Sequence, residues 1–552
     1  MRILPGRLDV GFAPKPRQRL DEGSALQSRR RPRRRLGAAA LGGAAVVLAA
    51  GLGTRAARAD EPRNTTEPRV MMEPGEVVNV IDAFDDGKPF SLNIGLGFDY
   101  SSKTAKILRE TTIAAPGLTT GGFTTHLLNV ASYAETTARL SPRLDIGLYH
   151  DIAAHIILPI LLQNSRQLTQ VGGQPTAAAA LAGAPGESGL FSVGGANGTM
   201  APTRSGLEYI GAGLDFDILN QARDRTKPTW LFGFEGRFSV GTPMHACNTN
   251  PASGQLQCAD PSDILRNGND KSVAPVTVNG QPVPLEGNFG PTDRGPGVTR
   301  GTMAIEVHTL MSKRLKYVEP YGGFTALFEF QQDSSDYGIT DLSQSLVNHP
   351  PLVGTMIMGM MIHPWENREK FGRLTFDMRF AGQYHSEGRD YSELFDALGS
   401  SAAPSLRSPV WAAYKANPAG LNPSSVVDTG SQATYTTGLT DVLAYGSYRG
   451  SFSVMWRASE YIKFQFGGGY SHDQGHVITG DAPCNPAGKP ANLYDTTTSG
   501  PCHIGDATLG QTPYSTGTPN PNYRQVINDV GRRFWVDSSS TYDLFGSAVV
   551  MF

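Results

Sequence analysis

Charge is scarce in this chain, and long apolar runs are scarcer. Only 18% of the 552 residues are Asp, Glu, Lys or Arg, against about 25% in ordinary soluble proteins. Beyond residue 60 the greasiest stretch is 156–162, which Pro159 interrupts. A membrane-spanning helix needs about 18 uninterrupted apolar residues, so helical spans are excluded there. Cysteine is rare too. Neither Cys247 with Cys258 nor Cys484 with Cys502 has the C-x2-C spacing of a zinc knuckle. No Gly-Lys-Ser/Thr follows the glycines at 467–469, which removes a phosphate-binding loop.

Glycine is what the chain has in excess: 64 residues, nearly twice the usual share of about 7%. Low charge, abundant glycine and moderate apolarity suit strands that face two different solvents. The N-terminus reads as an address. Arginines at 29–31 and 33–35 precede a small-residue apolar run at 36–52 and an Ala57-Arg58-Ala59 cut site, the order of a secretory signal; an uncut signal anchor is the alternative. Residues 1–59 hold 13 of the 48 basic and 3 of the 50 acidic residues, so their removal leaves 35 and 47, a net charge of −12. That balance argues against nucleic acid as a partner, which requires basic patches. In an oxidising compartment the cysteines Cys247, Cys258, Cys484 and Cys502 are expected to close loops as disulfides, with three connectivities open.

From residue 89 the chain alternates. Phe90, Leu92, Ile94, Leu96, Phe98 and Tyr100 share one face, with Ser91, Asn93, Gly95, Gly97 and Asp99 on the other, a period of two. The pattern returns in twelve segments, at about 89–100, 125–149, 153–162, 205–219, 229–241, 301–312, 317–331, 354–363, 371–385, 442–457, 460–472 and 538–552. Short links (150–153, 220–228, 312–316, 364–370, 458–460) alternate with long ones (101–123, 163–204, 242–300, 332–353, 386–442, 473–535). Aromatic residues stand near strand ends: Tyr100, Trp230, Tyr317, Trp365, Tyr384, Tyr461 and Tyr542. Short periplasmic turns, long outer loops and aromatic girdles predict an all-β, antiparallel up-and-down transmembrane barrel. Twelve strands is the main reading. Fourteen is the alternative, because 125–149 is long for one crossing and Ser141-Pro142 could divide it.

These features resemble gram-negative outer-membrane β-barrel proteins of the porin-like kind, over residues 89–552. The terminal Phe552, at the end of a strand carrying Tyr542, resembles the signal read by the barrel-assembly machinery. The resemblance implies an outer-membrane location among lipid and lipopolysaccharide. Residues 1–59 are then signal and 60–88 a periplasmic lead-in with no plug domain.

Alternation points Asp215, Asp217, Glu235, Arg237, Glu306, His308, Glu329, Asp377, Arg379, Arg449 and Lys463 toward the lumen, with Arg139, Arg143, Asp145, Glu319 and Arg457. Both signs suit a hydrated path and equally a lumen filled by cross-strand pairs. The expected function is passive or facilitated diffusion of small solutes. The alternatives are a closed structural or adhesive barrel and, more remotely, a lipid hydrolase using His385 and Ser386. Adjacent strand residues point to opposite faces, so that pair is poorly placed for catalysis. No catalytic, cofactor or metal residue is assigned, His472, Asp473 and His476 being read as loop residues. The sequence leaves the oligomeric state open.

Overall fold

The computed structural model describes residues 90–114, 123–171, 199–249, 295–332, 349–401, 436–482 and 522–552, with short pieces elsewhere, among them 77, 80–81, 83, 190, 256–260, 335–338 and 406. The signal, the cut site and Cys502 lie outside the described residues. Twelve antiparallel strands close into one barrel. They are β1 (Leu92–Ala114), β2 (Phe123–Tyr149), β3 (in two parts, Ile152–Ile157 and Ile160–Gln170), β4 (Arg204–Leu207 and Ile210–Leu219), β5 (Thr229–Phe238), β6 (Thr302–Ser312), β7 (Val318–Gln331), β8 (Val353–Asn367), β9 (Gly372–His385), β10 (Tyr445–Arg457), β11 (Ile462–Asp473) and β12 (Phe534–Met551). Each pairs with its neighbours in sequence, and β12 pairs with β1 to finish the ring. At the seam the Leu92 and Phe552 main chains exchange hydrogen bonds of 3.2 and 2.8 Å. Closure satisfies every ladder without leaving an edge in lipid, which an open sheet cannot do.

The apolar rows point outward. Ile94, Leu96, Phe98, Phe234, Ile305, Phe328, Met378, Phe452 and Phe466 are exposed, as are Tyr317, Trp365, Tyr384, Tyr461 and Tyr542 toward the strand ends. So many bare aromatic and aliphatic side chains in one band make sense only against lipid. The chain is a transmembrane barrel of the outer-membrane type.

Above that band the pattern turns over. On β1 the outward positions become Thr104 and Lys106, both exposed, while the inward Ala105 and Ile107 are buried. On β2 Ser132 faces out and Ala131 and Tyr133 face in; on β12 Asp537 faces out and Phe534 and Val536 face in. The upper wall therefore behaves like a water-soluble barrel, polar outside with an apolar core. That core is filled from within. A short helix, Phe395–Gly399, buried along its whole length, and a second, Gln525–Asn528, pack Leu394, Leu398, Val526 and Ile527 against Ile107, Ala131, Tyr133 and Val536. These loop segments form a plug in the outer mouth.

Several sequence expectations change as a result. The first strand does not stop at 100, nor the last begin at 538: β1 runs to Ala114 and β12 starts at Phe534. Their outer ends have no lipid to face, so the apolar-out signal vanishes there. β2 is one strand of 27 residues, with Pro142 in line and Leu96 opposite it, which removes the fourteen-strand alternative. Pro364 lies within β8, at a break in register between Ile362 and Trp365, and the link contracts to a turn at Arg368–Lys370. The described part of the lead-in packs on the barrel. Val80 packs with Ala153, Leu231, Tyr321 and Met361, and Ala83 is buried, its N–H donating to the Tyr149 carbonyl at 3.4 Å.

Phe395 is fully buried in a second apolar cluster with Met244, Ala246, Tyr337 and Leu439. Truncating a buried Phe to Ala costs about 3–5 kcal/mol. Phe395→Ala is expected to open the 388–401 segment to protease in the intact barrel while heat-modifiable gel migration, a property of the strands, stays as in the parent.

Candidate functional site: the barrel lumen

Among the described residues, two cavities lie in the lumen beneath the plug. The central one, about 660 Å³, is lined by residues of most of the strands, among them Asp99, Arg139, Glu208, Arg237, Glu329, Gln465 and Ser547. The lower one, about 410 Å³, includes Arg143, Asp145, Asp215, His308, Lys463 and again Gln465 and Ser547. The shared wall residues place the two chambers end to end.

Between the chambers lies a belt of opposed charges built on two glycine rows. Asp215, Gly233 and His308 stand directly opposite one another on β4, β5 and β6. His308 Nε2 meets Asp215 Oδ1 across the glycine at 2.8 Å. A Cβ at Gly233 would sit 2.3 Å from that carboxylate oxygen and 2.4 Å from the ring nitrogen, so only glycine lets the pair form. The adjacent row repeats the device, with His155, Gly213 and Glu235 aligned on β3, β4 and β5. His155 Nδ1 lies 2.8 Å from Asp215 Oδ2 and its Nε2 3.2 Å from Glu235 Oε2. Two carboxylates facing both ring nitrogens suit the ring form with two donors. Arg237 Nε donates to Glu235 Oε1 at 2.6 Å, and the same guanidinium pairs with Glu306.

Five of the sequence-named residues, Asp215, Glu235, Arg237, Glu306 and His308, thus meet in one network, which His155 joins. The others fall into separate groups. Asp377 accepts from the Tyr321 hydroxyl at 2.7 Å and lies 3.5 Å from Arg379. Arg449 pairs with Asp543 at 2.5 Å, and Glu329 with Arg300 at 2.9 Å. Asp217 is reached by the Asn220 side chain at 3.5 Å. Lys463 belongs to the lower chamber. Sequence alternation had no means of naming His155 as the centre of the network: Ile152–Ile157 is a short, mostly apolar segment whose single polar ring gives no periodic signal.

Tethers bind plug to wall. Arg204 on β4 holds Asp396 of the buried helix through Nη2 at 2.6 Å and Nη1 at 3.2 Å, and Nη2 also donates to the His245 carbonyl at 3.0 Å. Lys103 on β1 reaches Glu393 at 2.8 Å. Arg300 bridges Glu329 to Asp390 at 2.8 Å. The disulfide joining Cys247 and Cys258 sits beside the first of these, the Cys247 N–H donating to Asp396 Oδ1 at 3.0 Å. Of the second cysteine pair, Cys502 is not among the described residues.

The chemistry weighed for His385 and Ser386 does not assemble. His385 stacks on Tyr445, which stacks on His476 from its other side at centroid distances of 4.4 and 3.9 Å. Ser386 Oγ instead accepts from the Leu352 N–H at 2.8 Å and donates to the Glu387 carbonyl at 3.3 Å. Asp473 accepts from Ser447 at 2.6 Å, and His476 Nδ1 is 2.8 Å from the Gln474 carbonyl. Among the described residues no group of three or more His, Cys, Asp or Glu converges as metal ligands would.

Comparison with known proteins finds likenesses among solved structures only. No family model matches the chain. No curated protein matches it in sequence. Among solved structures, the COG4313 outer membrane channel from Pseudomonas putida F1 is 8% identical, with 87% of this chain and 99% of that chain covered and a TM-score of 0.33. A Pseudomonas aeruginosa FadL homologue is 8% identical over 83% of this chain and 90% of that one, with a TM-score of 0.27. The CymD monoaromatic hydrocarbon channel is 8% identical over 86% and 89%, with a TM-score of 0.26.

The plug carries a built-in acid dependence. Asp441, on the hairpin pairing 388–390 with 440–442, is buried beside Asp481, whose Oδ2 accepts the Asp441 N–H at 3.3 Å and whose Oδ1 accepts from Arg389 at 2.9 Å. Burial, with the Asp481 and Glu387 carboxylates near it, pushes the Asp441 carboxyl up to about 9. The folded hairpin then holds a proton that the unfolded chain, with a carboxyl near about 3.9, gives up. Stability must fall as pH rises through that window. Protease cutting within 388–401 is expected to accelerate from pH 5 to pH 9, and Asp441→Asn is expected to flatten the profile.

Proposed function

We propose that the protein is an outer-membrane channel through which small solutes cross by passive or facilitated diffusion along the barrel axis, gated by the folded-in plug. The observation that carries this reading is the stack of two chambers below the plug, lined by polar groups already paired with one another. Paired charges keep the path hydrated at a lower cost in solute trapping than isolated ones. On this reading the plug keeps the outer mouth closed at rest, and opening shifts its outer segments against the Arg204, Lys103 and Arg300 tethers.

A closed structural or adhesive barrel is the second reading, favoured by the apolar core that seals the outer mouth. Lipid hydrolysis has no supporting geometry at Ser386. On the channel reading the chain is exported behind a cleaved signal, enters a lipid and lipopolysaccharide membrane through the barrel-assembly machinery by way of its last strand with Tyr542 and Phe552, and takes no nucleic-acid partner.

Planar bilayers test the proposal. The parent protein is expected to give small, infrequent conductance steps. Arg204→Ala, which strands the buried Asp396 carboxylate and destabilises the plug by about 3–5 kcal/mol, is expected to give steps several times larger and longer. Silence of both proteins at every salt and voltage would leave the closed barrel as the function.

A further inference from the structure

Charge is unevenly spread over the turns at the short-link end of the barrel. Residues 60–552 hold 35 basic and 47 acidic residues, yet 220–228, 313–317 and 366–370 together hold eight Lys or Arg against three Asp or Glu. The excess is a matter of count and survives local pairing. Arg223 donates to Asp151, Lys227 lies 3.4 Å from Asp224, and Arg314 lies 2.5 Å from Glu366; adding Asp151 to the tally makes eight against four, still a net +4. In space the three segments form one surface. Lys313 Nζ donates to the Arg225 and Lys227 carbonyls at 2.6 and 2.7 Å, Gln221 Nε2 to the Arg314 carbonyl at 2.9 Å, and the Arg314 N–H to Gln221 Oε1 at 2.8 Å. The Arg314 guanidinium ties in the third segment through Glu366. Arg225, Lys227, Lys316, Arg368 and Lys370 are exposed. The other two short links, 150–153 and 458–460, each carry one carboxylate and no Lys or Arg.

Height decides what this surface meets. Tyr317 closes the second segment and Trp365 precedes the third, both exposed, as are Leu315 and Met311. Aromatic residues at the strand ends of such barrels mark the membrane interface. Lys316 Nζ sits 5.0 Å from the centroid of the Tyr317 ring, so a cation of the surface lies at the girdle itself. Phosphate is the charge that a bilayer presents at that level, and Lys and Arg within a Debye length of it are drawn to anionic lipid. We propose that the joined turns are a docking surface for anionic phospholipid: the exposed Lys and Arg hold phosphate headgroups of the leaflet at the short-link end, while Leu315, Tyr317 and Trp365 stay at the acyl boundary. The inference stands apart from the channel reading, because an open pore and a closed barrel would hold these lipids alike.

Electron spin resonance of trace spin-labelled lipid tests the surface, with the full chain reconstituted in phosphatidylcholine bilayers. Spin-labelled phosphatidylglycerol is expected to enter the motionally restricted shell around the barrel about twofold or more in preference to spin-labelled phosphatidylcholine, as surface cations attract anionic headgroups. The preference is expected to vanish in molar salt, which screens charges beyond about 3 Å. A Lys227→Gln, Lys316→Gln, Lys370→Gln triple variant is expected to lose most of the preference. The charge-preserving Lys227→Arg, Lys316→Arg, Lys370→Arg variant is expected to keep it, which separates loss of charge from loss of fold. Equal occupancy by the two lipids around the parent protein, or a preference that the Gln variant retains, overturns the proposal. Carboxylates of the cell wall are the rival source of negative charge. Equal lipid occupancy together with retention on purified peptidoglycan sacculi that the Gln variant loses would hand the surface to a wall partner and overturn the lipid assignment.

Discussion

A strand offers two faces, and in this barrel the solvent on each face changes partway along the strand. The backbone is satisfied by closure and is indifferent to height. The side chains are not. In the lower part lipid lies outside and water inside, so Ile94, Leu96 and Phe98 point out and Asn93 and Asp99 point in. In the upper part water lies outside, and the same alternation carries Thr104 and Lys106 outward and Ala105 and Ile107 inward. The inward apolar positions then have to be covered, and the loops that fold into the mouth cover them. The plug is thus a consequence of wall height: strands rising above the lipid create an apolar interior that the long links fill.

That arrangement sets the character of the lumen. The polar lower chambers and the apolar plug meet where Arg300 joins Glu329 of the wall to Asp390 of the plug. Below this level, charges are matched over glycines, so the axis carries polar groups without bulky isolated ions. The Asp215–His308 and His155–Glu235 contacts exist because Gly233 and Gly213 leave room above the sheet.

Much of the membrane half was legible in the sequence, because lipid imposes apolar residues on alternate positions and nothing else does. Eleven of the lumen positions named from alternation, from Asp215 to Lys463, could be named on parity alone, and short turns at Asp151, Lys316 and Phe371 follow from the loop-length rule, though their left-handed backbone does not. The upper half was hidden for the same physical reason. Ser102, Thr104 and Lys106 read as loop when they are the water-facing side of a strand. The buried helix Phe395–Gly399 sits in a small-residue segment with no helical periodicity to reveal it, and its partner Arg204 lies 192 residues away. The lead-in was hidden for want of length: Val77, Val80 and Ile81 make too few apolar contacts in sequence to suggest insertion into a barrel mouth.

The exchange of solvents along one strand is directly measurable. Nitroxide labels placed singly at Leu96, Phe98, Thr104, Lys106 and Ile107 in the reconstituted protein would be relaxed by oxygen, which concentrates in lipid, or by a nickel chelate, which stays in water. The account predicts oxygen-dominated relaxation at 96 and 98, nickel-dominated relaxation at 104 and 106, and protection from both at 107. Oxygen dominance along the whole outward row, or nickel access at 107 equal to that at 106, would contradict it.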